Sequence, residues 1–129
     1  MFYIDNQSRR AVYEQIVGQV EKYVLSGVLT GGDKMPSVRK LSVELNVNPN
    51  TVQRAYTELE RNGVIVTAPG RGAFVSDVGS QALKADRELQ FLSELEHLAS
   101  ELRSMGIDKA LLVNVIEKIF NTNSLLKHD

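Results

Sequence analysis

Residues 48–63 read NPNTVQRAYTELERNG, and this stretch predicts a single helix that carries its own start and stop signals. Asn48 suits the N-cap position, and Pro49 suits the first helical turn, where its missing N–H costs nothing. Asn62 and Gly63 end the helix, because glycine readily adopts the left-handed conformation that follows a helix. With both ends marked, this helix is the unit from which the rest of the chain can be placed.

The predicted helix has one apolar and one polar face. The residues spaced to form one buried face are Val52, Ala55, Tyr56 and Leu59. The side chains on the opposite face form hydrogen bonds readily: Asn50, Thr51, Gln53, Arg54, Thr57 and Arg61. No acidic residue lies between Glu44 and Glu58, so the helix N-terminus stays electropositive. This pattern fits either an ordinary amphipathic surface helix or a helix whose N-terminal half meets nucleic acid.

A second, shorter helix is predicted just upstream, over Val38–Leu45, with Ser37 as its N-cap. Arg39 and Lys40 lie in its first turn, where the helix dipole disfavours cations. There are two explanations. Either exposure to solvent makes the electrostatic cost of these two cations negligible, or an external anion such as phosphate binds to both of them. Only residues 46–47 separate this helix from the next, and two short helices joined by a tight turn predict a helix-turn-helix.

The segments on either side complete a small domain. An amphipathic pattern predicts a helix over Ala11–Ser26, with Tyr13 at the edge of an apolar face that we expect to lie in the core. After the helix-turn-helix, two short β-rich runs flank a turn in which Arg71 lies between Gly70 and Gly72, which predicts a hairpin. Helix, helix-turn-helix and hairpin in this order are the layout of a winged helix. We therefore interpret residues 1–76 as a winged helix-turn-helix DNA-binding domain.

The rest of the chain, residues 77–129, is interpreted as a helical dimerisation region. Leucines at three- and four-residue steps predict a helix over Gln81–Met105, which Gly106 ends. A further helix over Lys109–Phe120, with Asp108 as its N-cap, is apolar on most sides. Two helices cannot enclose so much apolar surface alone, so we expect this tail to pack against the same tail of a second copy. The alternative is that it packs back onto the winged helix.

Composition limits the protein class. The 129 residues fit one domain, or one small domain with an appendage, and the absence of cysteine fits a reducing cytosol. No apolar run is long enough to cross a membrane and no signal peptide opens the chain, so we expect a cytoplasmic protein without a membrane partner. The net charge of −1 argues at first against a nucleic-acid binder. The charge is uneven, however: residues 1–75 carry nine Lys+Arg and seven Asp+Glu, whereas residues 76–129 carry six and nine.

The sequence offers no pattern typical of catalysis. The turn at residues 70–72 lacks the Lys-Ser/Thr pair of a phosphate-binding nucleotide loop and leads into a strand. His97 and His128 are lone histidines with no second ligand at metal-binding spacing, and the glutamates near His97 are interpreted as the solvated face of a helix. No nucleophile, base and orienting group occur together. We therefore expect no enzyme activity, no cofactor and no metal site.

With these segments placed, the chain resembles the GntR family of bacterial transcription regulators. Four pieces carry the resemblance in the family's order and spacing: residues 12–16 (VYEQI), 32–39 (GDKMPSVR), 47–60 (VNPNTVQRAYTELE) and 70–75 (GRGAFV). The two-helix tail is similar in length and layout to the YtrA subfamily, whose members lack the large effector-binding domain of their relatives.

The resemblance implies which residues contact DNA. In the family, the arginine after the Pro-Ser step, the N-terminal residues of the recognition helix and the wing tip contact operator DNA. The matching positions in this chain are Arg39, Asn48, Asn50, Thr51, Gln53, Gly70, Arg71 and Gly72. Some relatives have arginine or threonine where this chain has Pro49, which shifts the expected base contacts to Asn50 and Gln53. Ser37 fits either a cap or a DNA contact, and Arg54 faces outward, where it could touch a phosphate.

The sequence thus predicts a mainly α protein with a small β-hairpin, in which a winged helix-turn-helix is followed by a two-helix dimerisation segment. The expected function is a homodimeric repressor that binds a near-palindromic operator in double-stranded DNA. An unknown small-molecule effector is compatible with this function, although the chain shows no domain for it. The alternative is a winged-helix protein-interaction module without an operator, which would lack the steep salt dependence of DNA binding.

Overall fold

The structure, a computed structural model, describes the backbone of residues 1–128 and the side chains of residues 1–122. The elements are α1 (Val12–Leu25), α2 (Val38–Leu45), α3 (Pro49–Arg61), β1 (Ile65–Ala68), β2 (Gly72–Val75), α4 (Asp77–Ser104) and α5 (Lys109–His128). The predicted class, mainly helical with one hairpin, is confirmed. The chain divides into two compact units, Met1–Asp86 and Arg87–Asp129.

Side-chain caps define the two central helices as predicted. The hydroxyl of Ser37 accepts a hydrogen bond from the Lys40 backbone N–H at 3.1 Å and so begins α2. The side-chain oxygen of Asn48 accepts from the Asn50 backbone N–H at 2.8 Å and begins α3. Between the helices, Asn46 adopts the left-handed conformation with φ 54°, which asparagine tolerates better than most residues. The tight connection of the helix-turn-helix therefore depends on two asparagines, Asn46 and Asn48.

The first unit has one hydrophobic core, built where α1 and α2 pack against the inner face of α3. Val52, Ala55, Tyr56 and Leu59, the predicted inner face, are all buried. The Tyr56 hydroxyl donates to the Pro36 carbonyl oxygen at 2.6 Å and so ties α3 to the start of α2. Burial, and secondarily the charge of Glu44, raises the pKa of Tyr56 far above its usual range, so the hydroxyl keeps its proton and remains a donor.

The hairpin is attached to the segment that leads into α2. Strands β1 and β2 pair antiparallel, and the other edge of β2 bonds to residues 32–35. The Gly32 N–H donates to the Val75 carbonyl at 2.8 Å, and the Met35 N–H donates to the Ala73 carbonyl at 2.8 Å. Movement of the hairpin is therefore coupled through this segment to the first turn of α2.

Helix α4 begins at Asp77, not at Gln81 as the hydrophobic pattern predicted. Ser76 explains the earlier start, because its hydroxyl accepts from the Gly79 N–H at 3.0 Å and its carbonyl accepts from the Ser80 N–H at 2.9 Å. This is the geometry of an N-cap serine. Residues 76–80 are small and polar, yet they form the cap and first turn of a helix.

Gly79 lies in that turn because the backbone of another segment approaches it closely. A Cβ added to Gly79 would lie 1.7 Å from the Gly63 carbonyl oxygen, so we expect Gly79→Ala to destabilise the fold by about 1–3 kcal/mol through overpacking. Gly18→Ala in α1 is the matched control. There the nearest atom is the flexible Arg10 guanidinium at 3.4 Å, and we expect a gain of about 0.5–1 kcal/mol. Thermal unfolding followed by circular dichroism checks both, and equal melting temperatures for the two variants would contradict the close approach.

The N-terminal segment is bound to α1 by two glutamine side chains, which the sequence pattern did not predict. The Gln15 amide accepts from the Asp5 N–H at 2.8 Å and donates to the Asp5 carbonyl at 3.1 Å. One turn later, the Gln19 amide accepts from the Tyr3 N–H at 3.1 Å and donates to the Tyr3 carbonyl at 2.5 Å. Each side-chain amide pairs with an extended backbone much as a neighbouring strand would.

The second unit consists of the later part of α4, a turn at Gly106, and α5. The Asp108 side chain accepts from the Ala110 N–H at 3.1 Å, as expected of the predicted N-cap. The predicted end of α5 near Phe120 is wrong, because the helix continues to His128 and no glycine or proline follows Phe120 to stop it. Large apolar side chains of this unit are exposed in the single chain, and we call them the apolar tail surface: Leu89, Phe91, Leu92, Leu95, Leu98, Leu111, Val113, Val115, Ile116, Ile119 and Phe120.

Candidate nucleic-acid interface

The polar face of α3 is open to solvent, as its sequence predicted. By the polar face of α3 we mean the exposed side chains of Asn50, Gln53, Arg54, Thr57 and Arg61 together with the half-buried Thr51. The first turn of α3 contains no acidic residue, and the first carboxylate within the helix, Glu58, bonds to Arg61 at 2.5 Å. The leading half of the helix therefore presents hydrogen-bonding groups and the positive end of the helix dipole, with no acidic side chain of its own.

Two side chains of this face are held by neighbours. The Gln53 amide nitrogen donates to the Thr57 hydroxyl at 3.3 Å, one turn further along the helix. The Arg54 guanidinium carbon lies 3.8 Å from the centre of the Tyr13 ring on α1. Asn48 uses its side-chain oxygen in the helix cap. The polar face of α3 thus combines side chains that neighbouring residues hold in place with exposed side chains in the first turn of the helix.

The start of α2 contributes exposed cations. Arg39 and Lys40 are both exposed in a first turn that lacks acidic residues. The Ser37 hydroxyl serves as the cap, which is the first of its two predicted roles; a DNA contact by the same hydroxyl stays a prediction. The hydrogen bond from Tyr56 to Pro36 connects this turn to α3. Arg39 and the polar face of α3 therefore lie on helices that this hydrogen bond joins.

The wing tip is a tight turn shaped by glycine. The Arg71 N–H donates to the Ala68 carbonyl at 2.9 Å, and Pro69 and Gly70 lie between them. Gly70 has φ 77°, so this is the turn geometry that favours proline followed by glycine. Gly72 has φ 107°, which a residue with a side chain rarely adopts. Exposed Arg71 thus lies at a tip whose backbone can approach another surface closely.

Lys34 is a cation at the wing that sequence reasoning missed. A Cβ added to Gly72 would lie 3.3 Å from the Lys34 Cε atom, so the lysine side chain passes beside the wing. Lys34 reaches this place because residues 32–35 pair with β2. Its position in an irregular segment before Pro36 carried no signal of that pairing in the sequence.

Tyr13 was also interpreted differently from the sequence, as a core residue only. It is half-buried and packs beside the core, but its ring also carries the Arg54 guanidinium. The two residues lie far apart in sequence on different helices, so no local pattern could have paired them. The predicted apolar spacing of α1 was correct, but the contact of the Tyr13 ring with Arg54 became apparent only from the structure.

The arrangement suits a polyanion. Cations and hydrogen-bond donors lie at two helix starts and a wing, and phosphate is the group that helix N-termini and exposed arginines bind most readily. Within the side chains that the structure describes, no group of three His, Cys, Asp or Glu residues could hold a metal ion. The exposed side chains of the two helix starts and the wing offer hydrogen bonds and positive charge.

Comparison with known proteins agrees with this geometry. The model of the family "Bacterial regulatory proteins, gntR family" matches residues 12–75. The HTH-type transcriptional repressor YtrA of Bacillus subtilis is 37% identical over 119 residues, covering 92% of this chain and 92% of YtrA. A transcriptional regulator from Oenococcus oeni has a crystal structure that superposes with a TM-score of 0.72 at 32% identity, covering 91% of this chain and 97% of that one. A GntR family regulator from Listeria monocytogenes superposes at 0.67 with 33% identity, covering 89% and 98%.

Proposed function

The chain belongs to the GntR family of bacterial transcription regulators, and from this premise we propose that it is a repressor that binds near-palindromic operator DNA as a homodimer. The observation that carries the proposal is the polar face of α3, which is exposed and has an acid-free leading half. This face enters the major groove, because an α-helix fits that groove and its edge pattern distinguishes all four base pairs.

The candidate residues divide between reading bases and contacting phosphates. Asn50 and Gln53 carry side-chain amides, which suit the paired donor and acceptor of adenine, and Arg39 suits guanine. The helix N-termini, capped by Ser37 and Asn48, offer backbone N–H groups and small polar side chains to phosphates, with Thr51 and Arg54 beside them. The wing residues 70–72 approach the backbone of the duplex. Phosphate contacts would then set the register, and base contacts the sequence preference.

Dimerisation is assigned to residues 77–129, with residues 1–76 as the DNA-binding part. The apolar tail surface supports a second copy as its occupant, because an exposed apolar area spread over both helices is unusual for a monomer. Charge supports it too: residues 87–104 carry four glutamates and two arginines, whereas residues 109–120 carry two lysines and one glutamate. A second copy therefore brings both the apolar surface and the opposite charge, which suits two-fold association.

The remaining details of the proposal are drawn from the family. YtrA is named a transcriptional repressor, and its match extends over the tail as well as the winged helix, which supports repression and the same overall plan. Among the described residues no helix is long and apolar enough to span a membrane. We place the protein in the cytoplasm, where its operator would be.

Selection of bound sites from random-sequence duplex DNA tests the function. A dimer with two-fold symmetry should enrich inverted repeats whose half-sites lie about one DNA turn, roughly 10 bp, apart. Retention should fall steeply as salt rises, since phosphate contacts release counterions. If nothing is retained on DNA at low salt, the winged helix serves as a protein-interaction module; if single unrepeated sites are enriched, the two-fold arrangement is wrong.

Replacing the wing-tip cation tests the phosphate contacts. We expect Arg71→Ala to weaken binding to all duplexes alike and to lower the slope of log affinity against log salt by about 1.8, since a dimer carries two wing tips at about 0.9 each. Titrations at several salt concentrations measure the slope. Lys22→Ala is the control, because Lys22 is an exposed cation at the end of α1 that has no proposed DNA contact. Equal slopes for the two variants would remove Arg71 from the interface.

A further inference from the structure

We propose that Tyr13 is a positioning residue for DNA binding: its ring holds the Arg54 guanidinium on the polar face of α3, so that the edge of the guanidinium meets a backbone phosphate. The inference rests on the proposed function of α3 as the helix that meets operator DNA. It adds a residue of α1, which the sequence placed in the core, to the binding machinery.

The geometry of the contact leaves the arginine free to bind. The guanidinium carbon lies 3.8 Å from the ring centre, which is close contact between a planar cation and an aromatic face. The N–H donors of arginine lie in the plane of the guanidinium, so a ring on one face leaves all of them available at the edge. The ring is uncharged and does not neutralise the cation as a carboxylate would.

The other arginine of α3 shows the contrast. Arg61 bonds to the Glu58 carboxylate at 2.5 Å, at the end of the helix away from the acid-free turn. Its charge is offset within the protein, and one of its nitrogens is engaged by the carboxylate. Arg54 lies nearer the N-terminus, within a stretch from Leu45 to Thr57 that has no acidic residue. Of these two cations on one helix, Arg54 is held in place without being neutralised.

Anchoring of the ring makes the contact useful for binding. Tyr13 is half-buried beside the core, near the start of α1, so its ring is fixed to a helix that packs on α3. A free arginine side chain loses rotamer freedom when it binds a phosphate, and this loss weakens the complex. The stack removes much of that freedom before DNA arrives. Tyr13 therefore strengthens a contact in which it takes no direct part.

Two simpler roles for Tyr13 can be separated from this one. The ring could merely help α1 pack on α3, or the phenol hydroxyl could itself touch DNA. Tyr13→Phe keeps the stack and removes the hydroxyl, whereas Tyr13→Leu keeps apolar bulk and removes the stack. Arg54→Ala removes the cation and, being an exposed position, leaves the core intact. Combining the last two in one chain gives a double-mutant cycle.

The experiment measures the affinity of the full chain and these variants for the duplex that the unchanged protein enriches from a random pool. We expect Tyr13→Leu to weaken binding by roughly ten- to a hundredfold, because each of the two subunits then has to order one long side chain at a cost of about three- to tenfold. Tyr13→Phe should bind as the unchanged protein does. In the Arg54→Ala background, Tyr13→Leu should have no further effect, and Arg54→Ala alone should lower the salt slope. Melting temperatures confirm that each variant is folded, and Tyr13→Met takes the place of Tyr13→Leu if the latter is not.

The outcomes separate this inference from the proposed function. If the unchanged protein shows no salt-dependent retention on DNA, the function fails and the inference falls with it. If the protein binds but Tyr13→Leu weakens affinity equally with and without Arg54, the ring has only a packing role. Weak binding by Tyr13→Phe would assign the effect to the hydroxyl, and unchanged binding by Tyr13→Leu would show that the stack contributes nothing. Each of these last three results overturns the inference and leaves the proposed function standing.

Discussion

Ile116→Asp is expected to leave the protein monomeric at concentrations at which we expect the unchanged chain to form the proposed dimer. Ile116 is 43% exposed on α5 in the single chain, so a subunit alone tolerates the carboxylate. In the proposed interface the charge would be buried without a partner, which costs about 3–5 kcal/mol, and a two-fold interface carries it twice. The dimer should therefore weaken by at least about 6 kcal/mol, or roughly four powers of ten.

Sedimentation equilibrium over a range of protein concentrations measures this change. Val28→Asp provides the control, because Val28 is 53% exposed in a loop of the first unit and adds the same charge outside the tail. Operator affinity should fall together with dimerisation, since a monomer reaches only one half-site. If Ile116→Asp dimerises as well as Val28→Asp does, the apolar tail surface is not where two copies meet.

The first unit was largely predictable because its signals are local. The caps at Ser37 and Asn48, together with the glycine after α3, mark helix ends within a few residues of the chain. The apolar spacing of α1 and α3 then indicates which faces pack together. These signals agree with one another, and the observed bounds of α2 and α3 match the predicted ones.

The errors arose where a segment's structure depends on contacts with residues distant in sequence. A cap serine and a short run of small residues at 76–80 look like a linker unless the packing of Gly79 on the Gly63 carbonyl is known. The attachment of the N-terminal segment through Gln15 and Gln19 pairs side chains with a distant backbone, which no periodicity describes. Tertiary contacts decided these points, and a local pattern contains no information about them.

The candidate site was likewise predictable only in part. Residue types, helix faces and the wing turn were readable from the sequence, because a binding face has to be exposed and polar. The neighbours that hold those side chains, Tyr13 for Arg54 and Thr57 for Gln53, became visible only in the structure. Which residues contact DNA stays a prediction for every position, and the proposed substitutions are chosen to decide it.

Arg39→Ala is expected to have the largest effect on sequence preference. If Arg39 makes a bidentate contact with guanine, its loss costs about 1–3 kcal/mol at each half-site, or about 2–6 kcal/mol for a symmetric operator. The reason is that one planar group loses two parallel hydrogen bonds to one base edge, and no neighbouring side chain of α2 has the same shape. Exposure of Arg39 in the first turn of α2 means that the substitution leaves the core unchanged.

Site selection repeated with Arg39→Ala distinguishes recognition of a base from sequence-independent attraction to the phosphates. Loss of preference at one base pair per half-site, with the other positions retained, would assign that base pair to Arg39. A uniform loss across all sequences, with a lower salt slope, would instead make Arg39 a phosphate contact, because phosphates carry no sequence information. Lys22→Ala is the control: it removes an equal charge from the end of α1, which has no proposed DNA contact, so neither affinity nor preference should change greatly. If Arg39→Ala behaves like Lys22→Ala, the first turn of α2 does not touch the duplex, and base reading is left to α3 alone.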